Sequence, residues 1–153
     1  MKRKSFRRRS QREKVARRDM DEPGEKDSSG YHQNQVKMIL VVEDDEAIGS
    51  VIQQILLLET PYSVMVATDG PQALHMVQQM TPQLFVMDYQ LPSMTGLELA
   101  RNLLARPDLG RTPVILMSAY TPEMITQPHP FDFLKKPFDL DELLQLVRKH
   151  LEI

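Results

Sequence analysis

The 153-residue chain contains no cysteine, and this absence excludes several kinds of site. Without thiolates there is no disulfide framework, no thiolate zinc or iron–sulfur centre and no cysteine nucleophile. No apolar run approaches the roughly 18 residues of a membrane-spanning helix, and the N-terminus lacks the apolar core of a secretory signal. Six glycines and 11 prolines leave room for regular structure. We therefore expect a soluble, cytoplasmic protein.

Charge is unevenly distributed, although the formal net charge is only -2. Residues 1–18 hold ten lysines and arginines against one acid, residues 19–37 have a net charge of -3, and residues 38–153 have a net charge of -8. Phe6 and Val15 are the large apolar side chains of the basic segment, which is too few for a hydrophobic face. We expect residues 1–37 to be a disordered basic tail and linker, and residues 38–153 to form the folded domain.

The basic segment has alternative interpretations. Clustered arginine and lysine favour binding of nucleic acid or another polyanion through residues 2–18, because such binding releases counterions. A basic helix on a membrane surface is less favoured, since the apolar stripe is missing. A start codon assigned too early would also account for the first 37 residues.

From residue 38 onward, short apolar runs alternate with longer amphipathic stretches. The runs occupy residues 38–42, 64–67, 84–87, 114–117 and 131–134. The first four are almost continuously apolar, which is typical of parallel strands covered on both faces. Apolar residues recur at helical spacing within 48–56, 73–80, 97–104 and 140–151. This alternation predicts an α/β fold built on a doubly wound, five-stranded parallel sheet.

Ligands of an open parallel sheet bind beyond the carboxyl ends of its strands, so the residues that follow each run are candidate site residues. They are Glu43, Asp44, Asp45 and Glu46 after the first run, Asp88 after the third, Ser118 after the fourth, and Lys135 and Lys136 after the fifth. Neighbouring carboxylates repel each other, take up protons or share a cation, and carboxylate oxygens suit Mg²⁺.

A lysine and a hydroxyl at the same edge can hold phosphate oxygens. With the carboxylates, they are the parts needed to neutralise a phosphoryl group that is transferred to an aspartate. The alternative is a solvated acidic loop near an unrelated lysine. That would account for any one of these residues, but less well for all of them.

Residues 38–153 resemble the receiver domain of two-component response regulators, which has the flavodoxin-like or CheY-like (βα)5 fold. The matching motifs are ILVVEDDE at 39–46, ATDG at 67–70, MDYQLPSMTGLEL at 87–99, SAY at 118–120 and FLKKPF at 133–138. The resemblance implies the strand order 2-1-3-4-5. Between Ser118 and Lys136 the chain is about one helical turn shorter than usual for the family, and Pro128 and Pro130 interrupt it. We therefore expect a shortened fourth helix, at about residues 122–126, or a loop in place of most of it.

The resemblance also implies a role for each matching acid. Asp88 would be the phosphoacceptor and would form a 4-aspartylphosphate. Asp44, Asp88 and the main-chain carbonyl of Gln90 would bind Mg²⁺ directly, and Glu43 would bind it through a water. Asp45, the third acid of its run, is less favoured as a direct ligand.

Ser118 and Lys136 would contact the phosphoryl oxygens. Lys136 is preferred to Lys135 because it precedes Pro137, as in the family's Lys-Pro pair, whose peptide bond is typically cis. Phe133 would be the aromatic switch residue, which turns inward when Ser118 moves toward the phosphate. This movement would change the surface formed by the fourth helix, the fifth strand and the fifth helix.

These inferences predict a single-domain response regulator. It would be a Mg²⁺-dependent phosphoacceptor and not an enzyme, would receive phosphate from a histidine kinase or a phosphotransfer protein, and would control an unidentified partner protein. A phosphatase with an aspartate nucleophile is the competing enzyme hypothesis. That chemistry generally needs a second acid two residues later, where this chain has Gln90. A receiver that works without phosphate is a further alternative, suggested by the shortened fourth helix.

Overall fold

The computed structural model describes residues 36–119 and 130–153. In chain order, the elements are β1 (Met38–Val42), α1 (Glu46–Glu59), β2 (Ser63–Ala67), α2 (Gly70–Met76), β3 (Leu84–Asp88), β4 (Gln90–Leu91), β5 (Met94–Thr95), α3 (Gly96–Leu104), β6 (Val114–Ser118), β7 (Phe131–Lys135) and α4 (Leu140–Leu151). The predictions of a disordered tail before residue 36 and of a short helix at 122–126 lie outside the described residues.

Five parallel strands form the main sheet, in the order β2-β1-β3-β6-β7. Numbered among themselves along the chain, these strands have the predicted order 2-1-3-4-5. All five predicted strands are present, and each extends at most one residue beyond the predicted run. The α/β fold with a five-stranded parallel sheet is therefore confirmed.

The sheet is covered on both faces, which explains why its central strands are continuously apolar. Along β1, Ile39 and Val41 pack in a cluster with residues of α1 and α4. Leu40 and Val42 point to the other face, where they pack in a second cluster with residues of α2 and α3. Because successive side chains of a strand point to opposite faces, the middle of a strand buried on both sides favours apolar residues, and the buried polar residues of β3 and β6 stand at the carboxyl ends of these strands.

A short hairpin between β3 and α3 was not predicted from the apolar pattern. It consists of β4 and β5, which pair antiparallel with Leu91 opposite Met94. The two loop residues are Pro92 and Ser93, and Ser93 has a positive φ of 68°. Proline before a residue with positive φ is typical of a type II turn. The hairpin folds the chain back immediately after the end of β3.

Ion pairs attach α4 to its neighbours. Arg148 contacts Glu59 of α1, with an Nη2–Oε2 distance of 3.1 Å. On β7, the Asp132 carboxylate accepts hydrogen bonds from His150 and from Lys149 Nζ, the latter at 3.4 Å. Burial raises the pKa of Asp132, but the hydrogen bonds and charges of His150 and Lys149 outweigh burial and lower this pKa below its usual value.

None of the described helices is long and apolar enough to cross a bilayer.

Candidate functional site

The carboxyl ends of β1, β3, β6 and β7 lie at the same edge of the sheet because these strands are parallel and adjacent. Glu43 and Asp44 follow β1, Asp88 ends β3, Ser118 ends β6, and Lys136 follows β7. Glu43, Asp88 and Ser118 are buried, whereas Asp44 is exposed. Four strands thus bring together acids, a hydroxyl and a lysine that lie up to 93 positions apart in the sequence.

Lys136 is the cation of this group. Its Nζ donates a hydrogen bond to Asp88 Oδ2 at 3.0 Å and lies 3.7 Å from Glu43 Oε2. Burial lowers the pKa of Lys136, but the hydrogen bond to Asp88 and the charges of Asp88 and Glu43 outweigh burial and raise it. The ammonium is therefore charged and in contact with the aspartate. Lys135, by contrast, is exposed.

Glu43 is the most deeply buried acid of the site, with 1% of its surface exposed. Its Oε1 accepts a hydrogen bond from the main-chain N–H of Asp45 at 3.2 Å. Its Oε2 has no hydrogen-bond partner among the described residues, and the 3.7 Å to Lys136 Nζ is longer than a hydrogen bond. Burial, followed by the charge of Asp88, raises the pKa of Glu43 to about 7. A buried carboxylate oxygen is thus left available to a further group.

Three acids meet the requirements of a site for a small divalent cation. One carboxylate oxygen from each of Glu43, Asp44 and Asp88 lies within 4.8 Å of the others. Hard oxygen ligands of this kind suit Mg²⁺, which keeps several waters, and one such water would be a partner for Glu43 Oε2. Asp45 is engaged elsewhere: its Oδ1 accepts hydrogen bonds from the N–H groups of Ala47 and Ile48 at 2.9 and 3.1 Å and caps α1.

The chain segment that forms the β4–β5 hairpin is hydrogen-bonded at both of its ends to Asp88 or to the residue after it. The N–H of Gln90 donates to Asp88 Oδ1 at 3.3 Å, and the N–H of Gly96 donates to the carbonyl of Tyr89 at 2.6 Å. The Asp88 carboxylate therefore receives Lys136 at one oxygen and a main-chain N–H at the other. The predicted contact between the Gln90 carbonyl and a metal remains a prediction.

Ser118 and Lys136 meet at the carboxyl ends of β6 and β7, and Phe133 lies within β7 opposite Leu116. Ser118 is buried, and its main-chain carbonyl accepts a hydrogen bond from the N–H of Lys136 at 2.7 Å. The Lys136–Pro137 peptide bond is cis, as the resemblance implies. Phe133 is half-buried and packs against the cluster on the α2 and α3 face. The switching role of Phe133 and the phosphate contacts of Ser118 and Lys136 remain predictions.

Sequence reasoning missed two features near the site. The first is a hollow of about 440 Å³ beside Lys136, lined also by Ile48, Ala119, Pro137 and Phe138. Nothing in the local sequence indicates it, because its walls come from three separate segments. The second is the close approach of Gly96 to Asp88. The glycine at the start of a helical pattern, just after a Pro-Ser turn, is the signal that could have found it.

The comparisons with known proteins agree with this geometry. The family model described as "Response regulator receiver domain" matches residues 39–148, which is about 72% of the chain. Protein Rrf1 of Nitratidesulfovibrio vulgaris is 32% identical over 113 residues, and the match covers 74% of this chain and 81% of that protein. The uncharacterized transcriptional regulatory protein YkoG of Bacillus subtilis is 37% identical over 117 residues, covering 74% of this chain but 50% of that protein.

Among solved structures, the receiver domain of the sensor histidine kinase PA1611 from Pseudomonas aeruginosa PAO1 superimposes with a TM-score of 0.67. It is 27% identical, covers 76% of this chain and 98% of that one, and has a magnesium ion coordinated in its active site cleft. The matches span between about a quarter and a half of the length of the first three curated relatives.

Proposed function

We propose that this chain, which belongs to the response regulator receiver domain family, accepts a phosphoryl group on Asp88. The observation that carries the proposal is the 3.0 Å contact between Lys136 Nζ and Asp88 Oδ2, beside the acids Glu43 and Asp44. A lysine held on the aspartate, at an edge where acids from a neighbouring strand converge, is suited to neutralise a phosphoryl group as it arrives.

In the proposed reaction, a carboxylate oxygen of Asp88 forms a bond to the phosphorus of the donor. The bond between phosphorus and the donor's nitrogen or oxygen breaks, and the leaving atom keeps the electron pair. The product is an acyl phosphate on Asp88. Lys136 stabilises the negative charge on the phosphoryl oxygens, and Ser118 donates a hydrogen bond to one of them.

We propose Mg²⁺ as the cofactor, held by Asp44, Asp88 and the main-chain carbonyl of Gln90, with Glu43 acting through a water. When bound, this ion would supply positive charge against the carboxylates and the phosphoryl oxygens. Two observations support the assignment: Glu43 Oε2 is buried with no hydrogen-bond partner among residues 36–119 and 130–153, and the carboxylate oxygens converge. So does the magnesium ion in the PA1611 receiver structure.

The proposed output is a change of surface. A phosphoryl group on Asp88 adds about -1.5 to -2 charges at pH 7, which attracts Ser118 and Lys136. Phe133 then turns into the space that Ser118 leaves, and the surface around β7 and α4 changes. Phe133 is half-buried and packs against the cluster on the α2 and α3 face, so a rotation of its ring would change what the surface of β7 presents. A partner protein that prefers one of the two surfaces would be controlled by phosphorylation.

We further propose that the donor is a histidine kinase or a phosphotransfer protein, and that the direct partner downstream is a protein. A phosphoacceptor is favoured over a phosphatase because Gln90 stands where a second acid would be needed, and its N–H contacts Asp88. The hollow beside Lys136 leaves space for a donor side chain next to the reacting groups.

The test is incubation of the protein with a small phosphodonor and Mg²⁺, followed by intact-mass measurement. The wild type should gain one phosphate that is lost in hydroxylamine, whereas Asp88→Asn should gain none. Asp108→Asn is the matched control, because Asp108 is paired with Arg106 on an exposed loop and should not affect the reaction. A wild type that gains no phosphate, or equal labelling of Asp88→Asn, would refute the proposal.

A further inference from the structure

Gly96 is the first residue of α3 and follows the β4–β5 hairpin. It is buried, and its N–H donates a hydrogen bond of 2.6 Å to the carbonyl of Tyr89, the residue after Asp88. The chain therefore leaves the site at Asp88, passes through the hairpin and returns to the same main chain eight residues later. α3 begins against the strand end that carries the acceptor aspartate.

The approach is so close that a side chain cannot be accommodated at Gly96. A Cβ atom at this position would lie 2.2 Å from the carbonyl oxygen of Asp88, 3.0 Å from its carbonyl carbon and 3.1 Å from Leu116 Cδ2. The first two atoms are main chain and cannot rotate away. To reach ordinary van der Waals contact, α3 and the Asp88 main chain would have to separate by about 1 Å.

The Asp88 carboxylate makes two hydrogen bonds, and a separation of about 1 Å is large enough to break the one to Lys136. Its Oδ2 is 3.0 Å from Lys136 Nζ, and its Oδ1 is 3.3 Å from the N–H of Gln90. Gln90 lies on the same main-chain segment as Asp88, whereas Lys136 follows β7. A shift of about 1 Å that carries Asp88 away from Lys136 would lengthen their contact beyond hydrogen-bonding distance unless the side chain changed its rotamer. The position of the carboxylate thus depends on what α3 places against its main chain.

We propose that Gly96 is a positioning residue for Asp88. By bringing no side chain to the start of α3, it lets the helix support the Asp88 main chain at the point where the carboxylate meets Lys136 and the neighbouring acids. The inference rests on the proposed phosphoacceptor role of Asp88 for its consequence on the reaction, but its geometric part concerns the Asp88–Lys136 contact alone.

Gly96→Ala tests the proposal, and the chain offers two matched glycine controls. Gly70→Ala would also create a contact below 3 Å, but with the sulfur of Met94, a flexible side chain that can move. Gly110→Ala would meet nothing closer than 3.6 Å. The phosphorylation rate constant per folded molecule, with the folded fraction taken from urea unfolding, should fall at least tenfold for Gly96→Ala. It should stay within twofold of the wild type for both controls.

A double variant separates positioning from stability. Adding Leu116→Val to Gly96→Ala removes the clash with the leucine side chain but leaves the clash with the Asp88 carbonyl. Positioning predicts that the rate per folded molecule stays low whatever the change in stability. Recovery of the rate together with stability would show a purely structural role and overturn the proposal. Failure of both variants to fold would also overturn it, because positioning would then be inseparable from folding.

A second measurement does not depend on phosphorylation. The coupling between Asp88 and Lys136 is obtained from a double-mutant cycle with Asp88→Asn and Lys136→Met in urea unfolding, in the wild type and in the Gly96→Ala background. Positioning predicts that Gly96→Ala at least halves the coupling. An unchanged coupling overturns the inference. If the wild type takes up no phosphate but the coupling falls as expected, the proposed function fails and the positioning role stands.

Discussion

Glu43 places a carboxylate in the protein interior, and replacing it with its neutral analogue should stabilise the metal-free protein at alkaline pH. The residue is 1% exposed, and its Oε2 lacks a hydrogen-bond partner among the described residues. Burial, followed by the charge of Asp88, raises the pKa of Glu43 from 4.5 to about 7. Glu43→Gln keeps the shape of the side chain and removes its charge.

The sign follows from proton uptake. Because the pKa of Glu43 is raised on folding, the folded protein holds more protons than the unfolded chain between pH 4.5 and pH 7. The free energy of unfolding therefore falls as the pH rises through this interval, and it stays lowered above it. The difference between the two pKa values corresponds to about 3 kcal/mol. Glu43→Gln should abolish this loss, so its advantage over the wild type should grow by about 2–3 kcal/mol between pH 5 and pH 8.

The assay is urea unfolding followed by circular dichroism at several pH values from 5 to 8, in EDTA. Titrating groups far from the site affect wild type and variant alike, so the difference between them reports on Glu43 together with the charged groups that it contacts. Glu98→Gln is the control, because Glu98 is an exposed glutamate on α3 and its replacement should leave the pH profile unchanged. Parallel profiles for the wild type and Glu43→Gln would refute the reasoning.

Three further predictions concern the acids after β1, the turn of the β4–β5 hairpin and the ion pairs of α4. Asp44→Ala should weaken Mg²⁺ binding at least tenfold in calorimetric titration. Asp45→Ala should leave Mg²⁺ binding within threefold but lower the free energy of unfolding by about 1 kcal/mol, because Asp45 caps α1. Equal effects of the two variants on Mg²⁺ binding would contradict this assignment of roles. Ser93→Gly should raise the free energy of unfolding in urea by about 1 kcal/mol, because Ser93 has a φ of 68°, and a destabilised variant would contradict the argument. Asp132→Asn should destabilise the protein by about 0.5–1 kcal/mol at pH 7. Because the pKa of Asp132 is lowered on folding by its contacts with His150 and Lys149, this difference should shrink as the pH falls below about 4, and a difference that persists at pH 3 would disprove the assignment.

The sheet was predictable because its signal is local. The runs at 38–42 and 84–87 are continuously apolar, and the structure places both in inner strands of the sheet, where all their residues except the half-buried Met38 are buried. Parallel connection then requires that residues just after each run meet at one edge, so Asp88 and Lys136 could be placed together before their distance was known. The ends of the strands were predicted less accurately, since Asp88 and Ser118 are the last residues of their strands and not the first residues beyond them.

The hairpin between β3 and α3 was less predictable, because two-residue strands have no periodicity to detect. Its turn carries a serine with positive φ, where glycine is the residue expected from conformational freedom alone. The different roles of the consecutive acids after β1 could also be predicted only in part from the sequence. The resemblance to receiver domains ranks Asp45 below Asp44 as a ligand, but the engagement of Asp45 in capping α1 depends on where that helix begins.

The sequence by itself determined the succession of strands and helices along the chain, the edge of the sheet where the site lies and the residue types available there. These features depend on local periodicity and on chain direction. The tertiary structure alone decided that Lys136 contacts Asp88, that one oxygen of Glu43 is buried with no hydrogen-bond partner in the described part of the chain, and that Gly96 leaves no room beside the Asp88 carbonyl. Each of these is a distance of a few ångströms between main-chain or side-chain atoms of different segments. Such distances are set by how the helices and the hairpin pack on the sheet, which no local pattern specifies.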